Sequence, residues 1–136
     1  MTDTTTAGPA AAVTTVDTYL AMWNEPDEAR RAELIASAWT EDGRYVDPVQ
    51  EAEGHAALSA MVAAIHERFP GQRFRRLSGV DVHHDQVRFA WELGVPDGAV
   101  TVAGIDVGAL AGDGRLRSIT GFFGEPPADD PAEDRA

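Results

Sequence analysis

The sequence predicts an α+β fold in which helices come first and an antiparallel sheet follows. Two observations carry this. Apolar residues recur at helical spacing up to about Phe69, and from Gln72 onward the period changes to two. The strand-like stretches are separated by His83-His84-Asp85, Pro96-Asp97-Gly98 and Gly112-Asp113-Gly114, which are short hairpin turns. Consecutive strands joined this way form a meander, and helices gathered in front of it give α+β rather than alternating α/β.

Val13, Val16, Leu20 and Trp23 mark a first helix, and Asn24-Glu25-Pro26-Asp27 ends it and caps the next. The second helix, Ala29–Trp39, places Leu34, Ile35, Ala38 and Trp39 on one side, with Glu41-Asp42-Gly43 as its exit turn. A strand, Arg44–Val49, leads into an Asp-Pro step. After Gly54 a third helix carries Leu58, Met61, Val62, Ile65 and Phe69 as an apolar stripe, and Pro70-Gly71 stops it. The remaining strands are Phe74–Val82, Gln86–Leu93, Ala99–Ala111 and Arg115–Phe123. The chain divides into a tail over 1–10, one domain over 11–125 and an acidic, proline-rich tail over 126–136. Both tails have compositions that cannot bury a core.

With 136 residues, 43% hydrophobic and 25% charged, the chain has the composition of one globular domain. Acids outnumber bases 23 to 11, and the formal net charge of -12 argues against nucleic acid or an anionic membrane surface as partner. Cysteine is absent, so neither disulfides nor a thiolate site enter. Met1–Ala12 lacks the basic start and apolar run of a signal peptide, and no stretch is apolar enough to span a bilayer, so a cytoplasmic location is expected.

A curved sheet covered by helices encloses an apolar space, and polar residues on apolar faces are the candidates for chemistry. Proline holds its predecessor extended, so Asp47 ends a strand with its carboxylate fixed in direction; the plainer reading is a turn. Asp106 shares a face with Val102, Gly104 and Gly108, and the opposite face (Ala103, Ile105, Val107) is apolar too, so the strand reads as buried on both sides. A carboxyl there is costly to ionise. Pairing with Arg88, or a place at the sheet rim, is the alternative. Tyr19, beside Leu20 and Trp23, is either a core residue with its hydroxyl at the edge or a donor into the same cavity.

The pieces Tyr19–Asn24, Ala38–Asp42, Tyr45-Val46-Asp47-Pro48-Val49 with Gly54, Gly104-Ile105-Asp106 and Gly121–Glu125 resemble the NTF2-like, cone-shaped fold. Within it the pattern is similar to ketosteroid isomerase and to the SnoaL-like polyketide cyclases. The resemblance implies a cone in which a curved, mixed or antiparallel sheet wraps around a pocket under three helices. It implies Asp47 as general base, with Tyr19 and a protonated Asp106 as donors to an enolate oxygen. It further implies a cofactor-free isomerase or cyclase acting on a hydrophobic ketone by proton abstraction, with Trp39, Tyr45, Val62, Phe89, Trp91 and Phe122 expected to contact the substrate. A homodimer formed through the sheet is implied as well. It would cover a face bearing Arg88 and Glu92 on one alternation and Phe89 and Trp91 on the other.

Departures are visible too. Trp39 and Val62 occupy the positions where the isomerase has supporting tyrosines, and Gly104 stands where an epoxide-hydrolase relative needs arginine. His55, His66, His83 and His84 do not have metal-ligand spacing, and Gly112-Asp113-Gly114 joins strands rather than opening a helix as a phosphate loop does. The competing reading is a non-catalytic ligand-binding or protein-interaction module, marked by a filled or narrow pocket, an Arg88–Asp106 ion pair and a solvent-facing Tyr19.

Overall fold

The computed structural model describes residues 8–129. Its helices are α1 (Pro9–Trp23), α2 (Glu28–Ala38) and α3 (His55–Arg68). Proline in the first turn lets α1 start at Pro9, inside the stretch expected to be tail. Residues 1–7 and 130–136, the bulk of the two expected tails, lie outside the described residues. As the sequence predicted, Asp27 caps α2, its carboxylate accepting from Arg30 N at 2.9 Å. The end of α1 is pinned to the sheet by Asn24, whose amide exchanges two hydrogen bonds with the backbone of Phe74 (2.8 and 3.0 Å).

Seven strands form one mixed sheet: β1 (Trp39–Val46), β2 (Glu51–Glu53), β3 (Arg73–Arg76), β4 (Asp81–His83), β5 (Gln86–Gly94), β6 (Val100–Leu110) and β7 (Leu116–Phe123). The order is β2-β1-β7-β6-β5-β3, with β4 also on β5. The β5-β6-β7 meander is antiparallel as expected, whereas β1 joins β7 in parallel. The helices cover the inner face.

Three expectations about elements are corrected. Glu41-Asp42-Gly43 is not an exit turn but an irregular part of β1, whose register against β7 shifts between Trp39 and Arg44. Glycine is required there because a Cβ on Gly43 would collide with the Trp39 ring. The stretch Phe74–Val82 is two strands, broken near Ser78-Gly79, where the Ser78 hydroxyl accepts from Ala90 N and takes over a ladder position. β6 is buried on one side only: Gly104, Asp106, Gly108 and Leu110 are buried, while Ala103, Ile105, Val107 and Ala109 are half-buried. Period two is the same in either case, so the alternation could not tell a covered outer face from a half-open one.

The register across the meander decides which side chains meet on the inner face. Phe89, Asp106 and Gly121 form one row, and Trp91, Gly104 and Phe123 the next. At Gly104 a Cβ would overlap Phe122 O and lie 2.8 Å from the Trp91 ring, so no side chain fits, an arginine least of all. Gly104→Ala is therefore expected to lower stability by about 3 kcal/mol or more in urea unfolding, the upper range for overpacking; a loss below about 1 kcal/mol would contradict this packing.

Candidate active site

Asp106 points inward from the middle of β6 and is 3% exposed. Its two oxygens are both occupied: Oδ2 accepts the Tyr19 hydroxyl at 2.7 Å and Oδ1 the Trp91 indole N–H at 2.9 Å. Each donor arrives for a reason visible in the fold. Trp91 can lean across β6 because Gly104 leaves the space empty. Tyr19 comes down from α1 inside an aromatic enclosure of Trp23, Trp39 and Phe89, with ring centroids 5.8 to 6.4 Å away in edge-to-face geometry. Gly121, opposite Asp106 on β7, supplies the last clearance: a Cβ there would lie 2.9 Å from Asp106 Oδ1, 3.4 Å from Asp47 Cβ and 3.5 Å from the Tyr45 hydroxyl. Asp47, Tyr45 and Asp106 thus converge over one glycine.

Asp47 follows β1 and is half-buried. Oδ1 accepts from Val49 N (2.8 Å) and Gln50 N (3.0 Å), the turn geometry that an Asp before proline favours. Oδ2 accepts from the Tyr45 hydroxyl at 2.7 Å. Three of roughly four lone-pair positions are filled, leaving one able to take a proton. The turn reading and the base reading of Asp47 are therefore compatible, since the turn is what aims the carboxylate.

Charge and burial work against each other at Asp106. Burial, the largest influence, pushes its pKa from 3.8 up to about 7; the bonds from Tyr19 and Trp91 pull it down, and the Asp47 charge pushes it up again. Near neutral pH the carboxyl is poised between its two forms. Burial and then the Asp106 charge hold the Tyr19 hydroxyl protonated well above its usual range. The same two causes act on Tyr45, joined by its bond to Asp47. The alternative of an Arg88–Asp106 pair does not occur, because Arg88 points outward and binds Asp81 at 2.6 Å.

A cavity of about 230 Å³ opens beside this cluster. Trp23, Ile65, Phe74, Leu93, Val102 and Phe123 give it apolar walls, and Asp47, Gln50, Arg68 and Thr101 its polar points. Of the residues expected to contact substrate, Tyr45 and Trp91 line the cavity. Trp39, Val62 and Phe89 do not; all three are fully buried core, packed behind the wall. Phe122 is corrected outright. It is 59% exposed on the outer sheet face, and Phe123 is the residue that faces in. The one-residue difference inverts the face because strand side chains alternate. Tyr19 and Asp106 stand one layer behind the wall.

His55 and His66 are structural: their Nε2–H groups donate to the carbonyls of Thr40 (2.9 Å) and Trp23 (2.7 Å). Among the described residues no group of three His, Cys, Asp or Glu is arranged to hold a metal ion. Sequence reasoning missed that Trp91 is a donor to Asp106 and that Arg68 reaches the cavity. The empty position at Gly104, two residues ahead of Asp106, was the available signal for the first.

Three helices over a curved, unclosed sheet with a cavity at its inner face define the NTF2-like class. A SnoaL-like domain model matches residues 16–119, and the chain belongs to the SnoaL-like family. A candidate isomerase of that family from Agrobacterium tumefaciens is 40% identical over 85% of this chain and 99% of its own, with a TM-score of 0.79. A candidate SnoaL-like polyketide cyclase from Jannaschia sp. (23% identity, 80% of this chain and 84% of its own, TM-score 0.60) shares the fold. So does a protein of unknown function with a cystatin-like fold from Methylobium petroleophilum (19%, 92% and 83%, 0.71). No curated protein matches significantly.

The raised Asp106 pKa makes a stability prediction. A carboxyl that holds its proton longer when folded contributes its full stability below about pH 3.8 and loses it as pH rises toward 7. Urea unfolding between those pH values should show wild type losing up to about 4 kcal/mol relative to Asp106→Asn. Parallel pH curves for the two proteins would refute the buried, proton-retaining state.

Proposed function

We propose that this protein is a cofactor-free enzyme that abstracts a proton next to the carbonyl of a small hydrophobic ketone, with isomerisation or ring closure as the outcome. Asp47 is the base in this reading. The observation that carries it is the position of Asp47: a carboxylate held by three donors, with one acceptor site left, at the wall of an apolar cavity. The proton it removes can return to a different carbon, which moves a double bond, or the enolate can attack a second carbonyl, which closes a ring.

Tyr19 and Asp106 supply the acid side. With Asp106 protonated and the Tyr19 hydroxyl released from Asp106 Oδ2, the two O–H groups are neutral donors in a dry environment, an arrangement that stabilises an enolate oxygen. They lie behind Tyr45 and Trp91, so the reading requires these two side chains to turn as the substrate enters, a change of the size common on binding. The family name and the isomerase relative support the reaction class. Of the three marks of the competing binding-module reading, the Arg88–Asp106 pair and the solvent-facing Tyr19 do not occur, since Arg88 is paired elsewhere and Tyr19 is 1% exposed, whereas the cavity is narrow, at about 230 Å³.

The same reading takes the protein to act as a cytoplasmic homodimer. Phe122, Ile105 and Ala90 make an apolar row across the outer face of the sheet, and the row invites a second copy. Phe122→Arg is expected to give a monomer in sedimentation experiments; a variant still dimeric, or a monomeric wild type, refutes that interface.

The central test is Asp47→Asn. Deuterium exchange into the carbon next to the carbonyl of a small cyclic ketone, followed by NMR, should fall by about 10³-fold, while phenol, a mimic of the enolate, still binds. Unchanged exchange would remove Asp47 as the base.

A further inference from the structure

The proposed reaction explains one of the two charges that face the cavity. The other is Arg68, in the last turn of α3, exposed at the cavity rim. Acids outnumber bases two to one in this chain, and seven arginines among the described residues have a carboxylate within 4 Å. Arg31, Arg68 and Arg73 have none among the described residues, and of these three Arg68 is the one that lines the cavity. Its guanidinium stacks on Phe69 instead, 5.4 Å from the ring centroid. Asp47 lines the same cavity without forming a salt bridge to it, so a cation and a carboxylate face one apolar space and do not neutralise each other.

We propose that Arg68 is a specificity-determining residue that selects substrates with a carboxylate at the end remote from the reacting ketone, so that the site takes a small keto acid. This rests on Asp47 being the base, which fixes the reacting end. The carboxylate belongs at the rim because Arg68 is exposed. A cation in water stabilises a permanent anion modestly and does little for charge developing in the transition state, which needs a dry environment. Arg68 therefore acts on KM and leaves kcat nearly unchanged. The volume sets the size: about 230 Å³ is below the usual range for drug-sized ligands and suits a single substituted ring.

Phenol, 4-hydroxybenzoate and 4-hydroxybenzamide are the probes, titrated into the full chain by calorimetry at low ionic strength. In each the phenol oxygen stands in for the enolate, and the acid and amide are close in size and shape but differ in charge. On a chain of net charge -12 the background favours the amide, so any preference for the acid reports a local cation. Wild type is expected to bind the acid about fivefold more tightly than the amide, the upper end for an exposed ion pair. Arg68→Gln should abolish the ratio, Arg68→Lys should restore most of it, and phenol should bind all three proteins equally, which shows the fold intact. An amide that binds as well as the acid to wild type, or a ratio that survives in Arg68→Gln, overturns the proposal. The ratio is read without turnover, so its failure leaves the Asp47 base standing, and failure of the exchange test leaves the ratio standing.

Discussion

Two hydrogen bonds hold the Asp106 carboxyl where water does not reach it, and much of the interior is arranged around that fact. Its donors come from opposite sides, Tyr19 from the covering helix and Trp91 from the neighbouring strand. A buried carboxyl without partners would lose several kcal/mol of solvation, and these two bonds offset part of that. The remainder is expressed as the raised pKa. The helix α1 is thereby fastened to β6 by a polar contact in a layer otherwise held by aromatic packing, and the register of Tyr19 over the sheet is fixed.

Glycine makes this burial possible. Gly104 precedes Asp106 by two residues on β6 and Gly121 lies opposite it on β7, and each is a place where a methyl group would strike something. One lets the indole of Trp91 cross the strand, and the other lets Asp47 and the Tyr45 hydroxyl approach the carboxyl. Large side chains would have closed the sheet into a plain core. Absent side chains on β6 and β7 instead leave room for a polar cluster next to a cavity, and the cavity wall is formed by residues one row away, Trp91 and Phe123.

The cluster has two halves with different exposure. Asp47 and Tyr45 reach the cavity, while Tyr19 and Asp106 lie behind it. In the proposed reaction a base near water and an acid pair kept dry suit opposite tasks, because the base must stay ionised and the donors must stay protonated. That division of environments supports carbon-acid chemistry for this member of the SnoaL-like family, and Arg68 at the rim supplies the remaining charge that a substrate would meet.

The three helices and the long strands were legible in the sequence, because apolar periods of 3.6 and two report which face of each segment is buried. The sequence also singled out Asp47, Tyr19 and Asp106; the structure brings Asp47 and Asp106 together over Gly121 and joins Tyr19 to Asp106 by a hydrogen bond. Tertiary structure alone decided three other things. β1 pairs in parallel with β7, because pairing partners are set by long-range packing that no local pattern encodes. Trp91, not Arg88, serves Asp106, because the strand's alternation turns Arg88 outward to Asp81 and the empty position at Gly104 admits the indole. Phe123, not Phe122, faces the cavity, because the bulge between β6 and β7 fixes the phase of the last strand, and a phase of one residue exchanges inside for outside.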